Sequence, residues 1–182
     1  MRLFIAAELP EELVWALAET SGALRDAVPG RYVAPDSFHV TLAFLGEVAG
    51  SRAGALEGVL ERSCAGVPPI EAVLGELGTF GRGRKTALWQ GVRTDGALEA
   101  LAARVRSELD SCGFVYDGKG FLPHVTLIRG ADVAGLALPM PCVERGTIDT
   151  IALLSSDLSG ERPVYTPLIR VALGKLCLRN SL

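Results

Sequence analysis

The chain contains only two histidines, and both open the same four-residue run: His39-Val40-Thr41-Leu42 and His124-Val125-Thr126-Leu127. Histidine is the side chain whose unperturbed pKa lies closest to neutrality. Of two imidazoles in one cleft, one can be neutral and take a proton while the other is charged and gives one. In an extended segment residues i and i+2 point to the same face, so each imidazole travels with a threonine hydroxyl. The valine and leucine of each run point the other way, into apolar packing that holds the polar pair in place. Such a set suits in-line displacement at the phosphorus of a cyclic phosphodiester. One imidazole accepts the proton of the attacking water, the other protonates the departing oxygen, and the hydroxyls bind the phosphoryl oxygens between them.

Other uses of the pair make different demands. A metal centre would need a third and fourth ligand, and with no further histidine these would have to be Asp, Glu or Cys from unmarked positions, so neither metal nor cofactor is expected. Histidines that merely recognise a phosphate, in a non-catalytic module for RNA ends, would do a task that arginine or lysine does alone. Paired retention of histidine and threonine argues for chemistry.

The elements that must position these residues can be read from hydropathy. Arg2 to Leu9 is a strand ending at Pro10, and the Ala/Leu/Glu stretch from Glu11 predicts a helix to about Val28. Tyr32 and Val33 form a short strand candidate, and Phe38 to Leu45 a strand closed by Gly46, which places His39 on a strand. Ser51 to Cys64 has helical spacing. Ile70 to Phe80 and Thr86 to Val92 are strands around a Gly81-Arg82-Gly83-Arg84-Lys85 turn. Leu98, Leu101, Val105 and Leu109 share one face of a helix from Gly96 to Cys112. Phe121 to Ile128, Thr147 to Leu154 and Val164 to Leu173 complete the strands. No glycine-rich phosphate loop follows any strand. The expectation is an α+β fold with mainly antiparallel sheets, in which the repeated motif, 85 residues apart, marks two similar lobes facing one cleft.

Composition limits the partners. The 182 residues are 49% hydrophobic and 21% charged, ordinary for a globular domain, and the net charge of -3 lacks the basic footprint of a protein that grips a long polyphosphate backbone. A nucleic-acid substrate would be held locally, at an end. The Arg82–Lys85 turn could touch phosphates, but a charged hairpin tip is more often simply solvated, and it is left out of the candidate site. No apolar stretch is long enough to span a bilayer and no leader precedes the first strand, so a soluble, cytoplasmic monomer is expected. Cys64, Cys112, Cys142 and Cys177 show neither zinc-ligand nor disulfide spacing and are read as reduced, apolar residues.

At its two motifs the sequence resembles the 2H phosphoesterase superfamily, and within it the RNA 2′,3′-cyclic phosphodiesterases, also called 2′-5′ RNA ligase-like proteins. The likeness runs along nearly the whole chain. It rests on Arg2-Leu3-Phe4-Ile5-Ala6, the first motif with Phe44-Leu45-Gly46, Gly78-Thr79-Phe80 with Leu88-Trp89, and Phe121 through Arg129. The resemblance implies one domain over residues 1–182, built of two pseudo-symmetric α+β lobes, that hydrolyses a 2′,3′-cyclic phosphate at an RNA end to a 2′-phosphate. It implies His39 as proton donor, His124 as proton acceptor, and Thr41 and Thr126 as phosphate ligands. Phe44 and Arg129, each five residues beyond a motif histidine, would sandwich the terminal base. The same site would serve the reverse-type reaction, 2′-5′ joining of a cyclic phosphate end to a 5′-hydroxyl end, as in tRNA halves.

Overall fold

The computed structural model describes residues 1–82, 86–160 and 162–174; Cys177 and most of the Arg82–Lys85 turn lie outside them. In chain order the elements are β1 (Arg2–Glu8), α1 (Glu11–Leu24), β2 (Arg31–Tyr32), a 3-10 turn (Pro35–Ser37), β3 (His39–Glu47), α2 (Gly50–Ala53) and α3 (Ala55–Cys64). They continue with β4 (Ile70–Phe80), β5 (Ala87–Arg93), α4 (Ala97–Ser111), β6 (His124–Arg129), β7 (Arg145–Ile148), β8 (Thr150–Asp157) and β9 (Val164–Ala172). The strands form two antiparallel sheets, ordered β3-β1-β8-β9 and β2-β6-β5-β4-β7. This is the expected α+β, two-lobed arrangement, with β3 at the edge of one sheet packed against β6 of the other.

Burial explains which residues form which layer. In β1, Leu3, Ile5 and Ala7 enter the main core while Phe4 and Ala6 enter a smaller cluster with Ala152 and Leu154, against which Phe44 and Tyr165 pack. β1 is therefore covered on both faces, and this is why its sequence is a continuous apolar run rather than an alternation. The helices supply Leu13, Leu17 and Leu24 of α1, Leu56 and Leu60 of α3, and Leu98, Leu101, Val105 and Leu109 of α4 to the main core. They cover one face of the sheets, and the small Phe4 cluster lies on the other. Cys64 is buried among them, its thiol pushed up to about 11 by desolvation, in keeping with an apolar role. Among the described residues, no helix is long and apolar enough to cross a membrane.

Besides end shifts of one to three residues, the largest at the strand predicted from Phe121, which begins at His124, three elements differ from the hydropathy reading. Helix α1 stops at Leu24 rather than Val28; a turn closed by Ala27 N–H and Val28 N–H on the Leu24 carbonyl follows, and the Tyr32 hydroxyl lies 2.8 Å from both the Leu24 and Val28 carbonyls, covering the end of the helix. The predicted 51–64 helix is two, divided at Gly54. The predicted strand Thr147–Leu154 is also two: β7 pairs with β4 in one sheet and β8 with β1 and β9 in the other, the chain crossing between lobes at Asp149. Periodicity cannot see such a crossing, since both halves are apolar and extended.

Candidate active site

Both motif strands carry the same irregularity. In β3 the register against β1 runs Ala6↔Thr41 and then Ile5↔Ala43, leaving Leu42 as an extra residue. In β6 the register against β5 runs Trp89↔Thr126 and then Leu88↔Ile128, leaving Leu127 extra. Each is a β-bulge at the leucine of the motif, and a bulge reverses which face the following residues occupy. Strict alternation would send the residue five beyond each histidine to the opposite face. The bulges return it to the histidine's face, so that His39, Thr41 and Phe44 share one side of β3, and His124, Thr126 and Arg129 one side of β6.

His39, Thr41, His124, Thr126 and Arg129 line a single cleft together with Val33 and Ser37. Phe44 is not among the lining residues. It lies on the same face of its sheet, packed on the Phe4 cluster, with the Arg2 guanidinium 4.8 Å over its ring. Arg129 reaches across from β6 to donate to the Tyr165 hydroxyl of β9 at 3.4 Å, and so links the two sheets over the cleft.

The imidazoles are held alike. His39 Nδ1 lies 2.8 Å from the Ser37 carbonyl oxygen and His124 Nδ1 lies 2.6 Å from that of Leu122, in each case two residues back. A carbonyl oxygen can only accept, so Nδ1 carries the hydrogen in both rings, and Nε2 is the nitrogen left to accept or deliver a proton in the cleft. Two aromatic rings wall each imidazole. Phe4 and Tyr165 stand 4.9 and 5.3 Å from His39, and Phe80 and Trp89 stand 4.9 and 5.6 Å from His124, centroid to centroid. Both rings can therefore neither rotate freely nor hydrate fully.

The same walls set the protonation state. Burial pushes His39 down to about 4, with the Arg129 guanidinium and His124 adding to the effect and the Ser37 hydrogen bond opposing it. Burial also lowers His124, helped by Arg129 and opposed by the bond to Leu122. With the cleft empty at pH 7, both imidazoles are neutral. An anion placed beside them acts in the opposite sense and raises both.

Trp89 shows how the backbone shapes the site. It pairs with Gly78 on one side and Thr126 on the other, and its ring lies flat over Gly78, so that a Cβ built there would meet ring atoms at 2.3 Å. Gly78→Ala is accordingly expected to push the indole off its seat beside His124. Overpacking of this kind costs about 1–3 kcal/mol of stability, and the displaced wall is expected to lower turnover about tenfold or more. Urea denaturation together with steady-state kinetics checks both; an alanine variant with wild-type turnover would show that the Trp89 wall does not position His124.

Sequence reasoning found five of the six polar residues of the cleft, missing Ser37, and assigned no role to Phe4, Phe80, Trp89 or Tyr165. Phe4, Phe80 and Trp89 stood in the segments that carried the family resemblance, without a stated reason; Tyr165, in the last strand, carried no signal. The carbonyls of Ser37 and Leu122 have no side-chain signature at all.

With this geometry in view, known proteins can be compared. A model of the 2′-5′ RNA ligase superfamily matches residues 14–157. The chain is 33% identical to the RNA 2′,3′-cyclic phosphodiesterase of Escherichia coli strain K12, over 94% of this chain and 96% of that protein. It is 36% identical to the RNA 2′,3′-cyclic phosphodiesterase of Geobacillus stearothermophilus over 69% of this chain, a stretch spanning 41% of that protein. The crystal structure of Escherichia coli LigT complexed with 3′-AMP superimposes with a TM-score of 0.81 at 32% identity, covering 96% of this chain and 98% of that one. A fold shared from end to end, at this identity and around a doubled His-x-Thr cleft, makes the chain a member of the 2′-5′ RNA ligase superfamily of 2H phosphoesterases.

Proposed function

We propose that this protein hydrolyses the 2′,3′-cyclic phosphate at RNA ends to a 2′-phosphate, using His39 and His124 as an acid and base pair without a metal ion. One observation carries the reading: two imidazoles, each fixed in the same tautomer with Nε2 available, line one cleft with two threonines and an arginine. In the step proposed, the oxygen of water bonds to phosphorus as its proton passes to His124 Nε2. The P–O3′ bond breaks, and O3′ takes the proton of His39 Nε2. Thr41 and Thr126 hold the phosphoryl oxygens, and the terminal base stacks between the Arg129 guanidinium in the cleft and the Phe44 ring, which lies beyond the cleft lining on the histidine face of β3. A 5′-hydroxyl in place of water would expel the same O3′ and leave a 2′-5′ bond, so the ligase reaction differs only in the nucleophile.

The test is hydrolysis of a 2′,3′-cyclic mononucleotide in EDTA, with the phosphate position of the product determined. Formation of the 2′-phosphate at an undiminished rate is expected. A 3′-phosphate, or a rate abolished by the chelator, would overturn the assignment of leaving group or of metal independence respectively.

Protonation adds a second expectation. The lowered histidines require kcat/KM, which reports the free enzyme, to be bell-shaped with both limbs acid of 6.5 and the lower one near 4. At pH 7 the singly protonated pair is a minority, so kcat/KM is expected to rise as pH falls from 7 toward 5. Bound phosphodiester raises both imidazoles, and the kcat profile is displaced to higher pH. Arg129→Gln removes a cation that holds both histidines down and moves both limbs upward. A kcat/KM that is flat or climbing from pH 5 to 8 would contradict this.

A further inference from the structure

A second, larger pocket of about 190 Å³ adjoins the catalytic cleft, with Val33 forming part of both walls. It is lined by Arg25 at the end of α1, by Tyr32, Val33 and Pro35 leading toward His39, and by Arg162 from the β8–β9 connection of the other sheet. Nothing in the two-histidine chemistry uses it. The Arg25 guanidinium lies 4.6 Å over the Tyr32 ring. The hydroxyl of that ring is anchored on two carbonyls, so the stacked pair is held in place. Among the described residues, no carboxylate forms an ion pair with Arg25 or Arg162. The acid that acts on Tyr32, Asp26, is not a lining residue. Two cations thus converge on one pocket of a chain whose net charge is -3.

We infer that this pocket is a subsite for the nucleotide immediately 5′ to the cyclic end, with Arg162 and Arg25 on its phosphodiester and the Arg25–Tyr32 stack beneath its base. The inference rests on the RNA-end reading above. A cationic groove joined to a flat stacking surface is how single strands are held without base selection, and cations from α1 and from the β8–β9 connection would let the RNA chain bridge the two lobes. The subsite makes the enzyme prefer an RNA end over a free cyclic nucleotide. It does so by local contacts, which is why an acidic protein needs no extended basic face.

The experiment compares uridine 2′,3′-cyclic phosphate with the dinucleotide uridylyl-uridine 2′,3′-cyclic phosphate. Wild type is expected to show a kcat/KM about tenfold higher for the dinucleotide. The log–log dependence of that kcat/KM on salt is expected to be steeper by about 0.7, the increment for one phosphate of a single strand. Arg25→Gln combined with Arg162→Gln, both exposed positions, is expected to bring the dinucleotide down to the mononucleotide value while mononucleotide hydrolysis is unchanged. Equal kcat/KM for the two substrates in wild type, or a preference that survives the double substitution, would overturn the subsite. So would an effect of a separate 5′-hydroxyl dinucleotide on mononucleotide hydrolysis that the variant loses, since it would assign the pocket to a second strand. Titration of the matching 2′-phosphate products with both proteins reads the pocket even where no cyclic phosphate is turned over, an outcome that would sink the catalytic reading alone.

Discussion

His124→Ala is expected to lower kcat for a 2′,3′-cyclic mononucleotide about 10²- to 10⁴-fold, the range for a positioned general base, with KM little altered. His39→Ala is expected to do the same from the acid side. Each loss corresponds to about 3–5 kcal/mol of transition-state stabilisation. The two are expected not to be additive, because in the proposed step proton removal from water and proton delivery to O3′ belong to one displacement. Once either imidazole is gone the other has no concerted partner, and the double variant is expected to be little slower than the slower single one. Folding is not the confounding factor. Each ring makes one hydrogen bond, to a carbonyl two residues back on its own chain, while Val40, Leu42, Val125 and Leu127 keep the strand anchored in the main core. Steady-state kinetics of the three variants, with binding of the 2′-phosphate product as a control on the site, decides the matter. Turnover that survives either substitution, or losses that multiply, would mean the histidines do not act as a pair.

Thr41→Val and Thr126→Val are the second decisive pair. Each exchanges a hydroxyl for a methyl in a side chain of the same shape, on a strand that favours β-branched residues, so the fold is expected to tolerate both. Both hydroxyls line the cleft beside their histidines. If they bind the equatorial oxygens on which charge builds in the displacement, loss of one is expected to lower kcat about 10²-fold, as when a single oxyanion donor is removed from a preorganised site. Serine at either position keeps the donor and is expected to recover most of the rate. An effect on KM alone would show that the hydroxyls bind ground state and transition state equally. An effect equal for valine and serine would assign the residues to packing.

These expectations differ in how far the sequence alone could carry them. The doubled His-x-Thr run was legible because a strand alternates with a period of two, which ties imidazole and hydroxyl to one face whatever the rest of the chain does. The helical face of Leu98, Leu101, Val105 and Leu109 was legible for the same kind of reason, since spacing along one element is a local property. Phe44 and Arg129 came from family likeness and ran against local reasoning, which sends an i+5 residue to the far face. The bulges at Leu42 and Leu127 reverse that, and a bulge is a relation between two strands, invisible in either one.

Tertiary structure alone decided the rest. Phe4 and Tyr165 meet at His39 because β1 and β9 flank β8 in one sheet, and Phe80 and Trp89 meet at His124 because β4 and β5 continue the sheet of β6. The depressed pKa values follow from those walls and from Arg129, placed between lobes by its reach to Tyr165. Strand pairing likewise divides the chain at Asp149, whose two sides serve different sheets. The identity of the groups proposed to react is carried by residue type and short-range spacing, which the backbone geometry of one strand is enough to express. Their charge and surroundings depend on contacts between residues as much as 126 positions apart, and such contacts exist only once both sheets have assembled around the core.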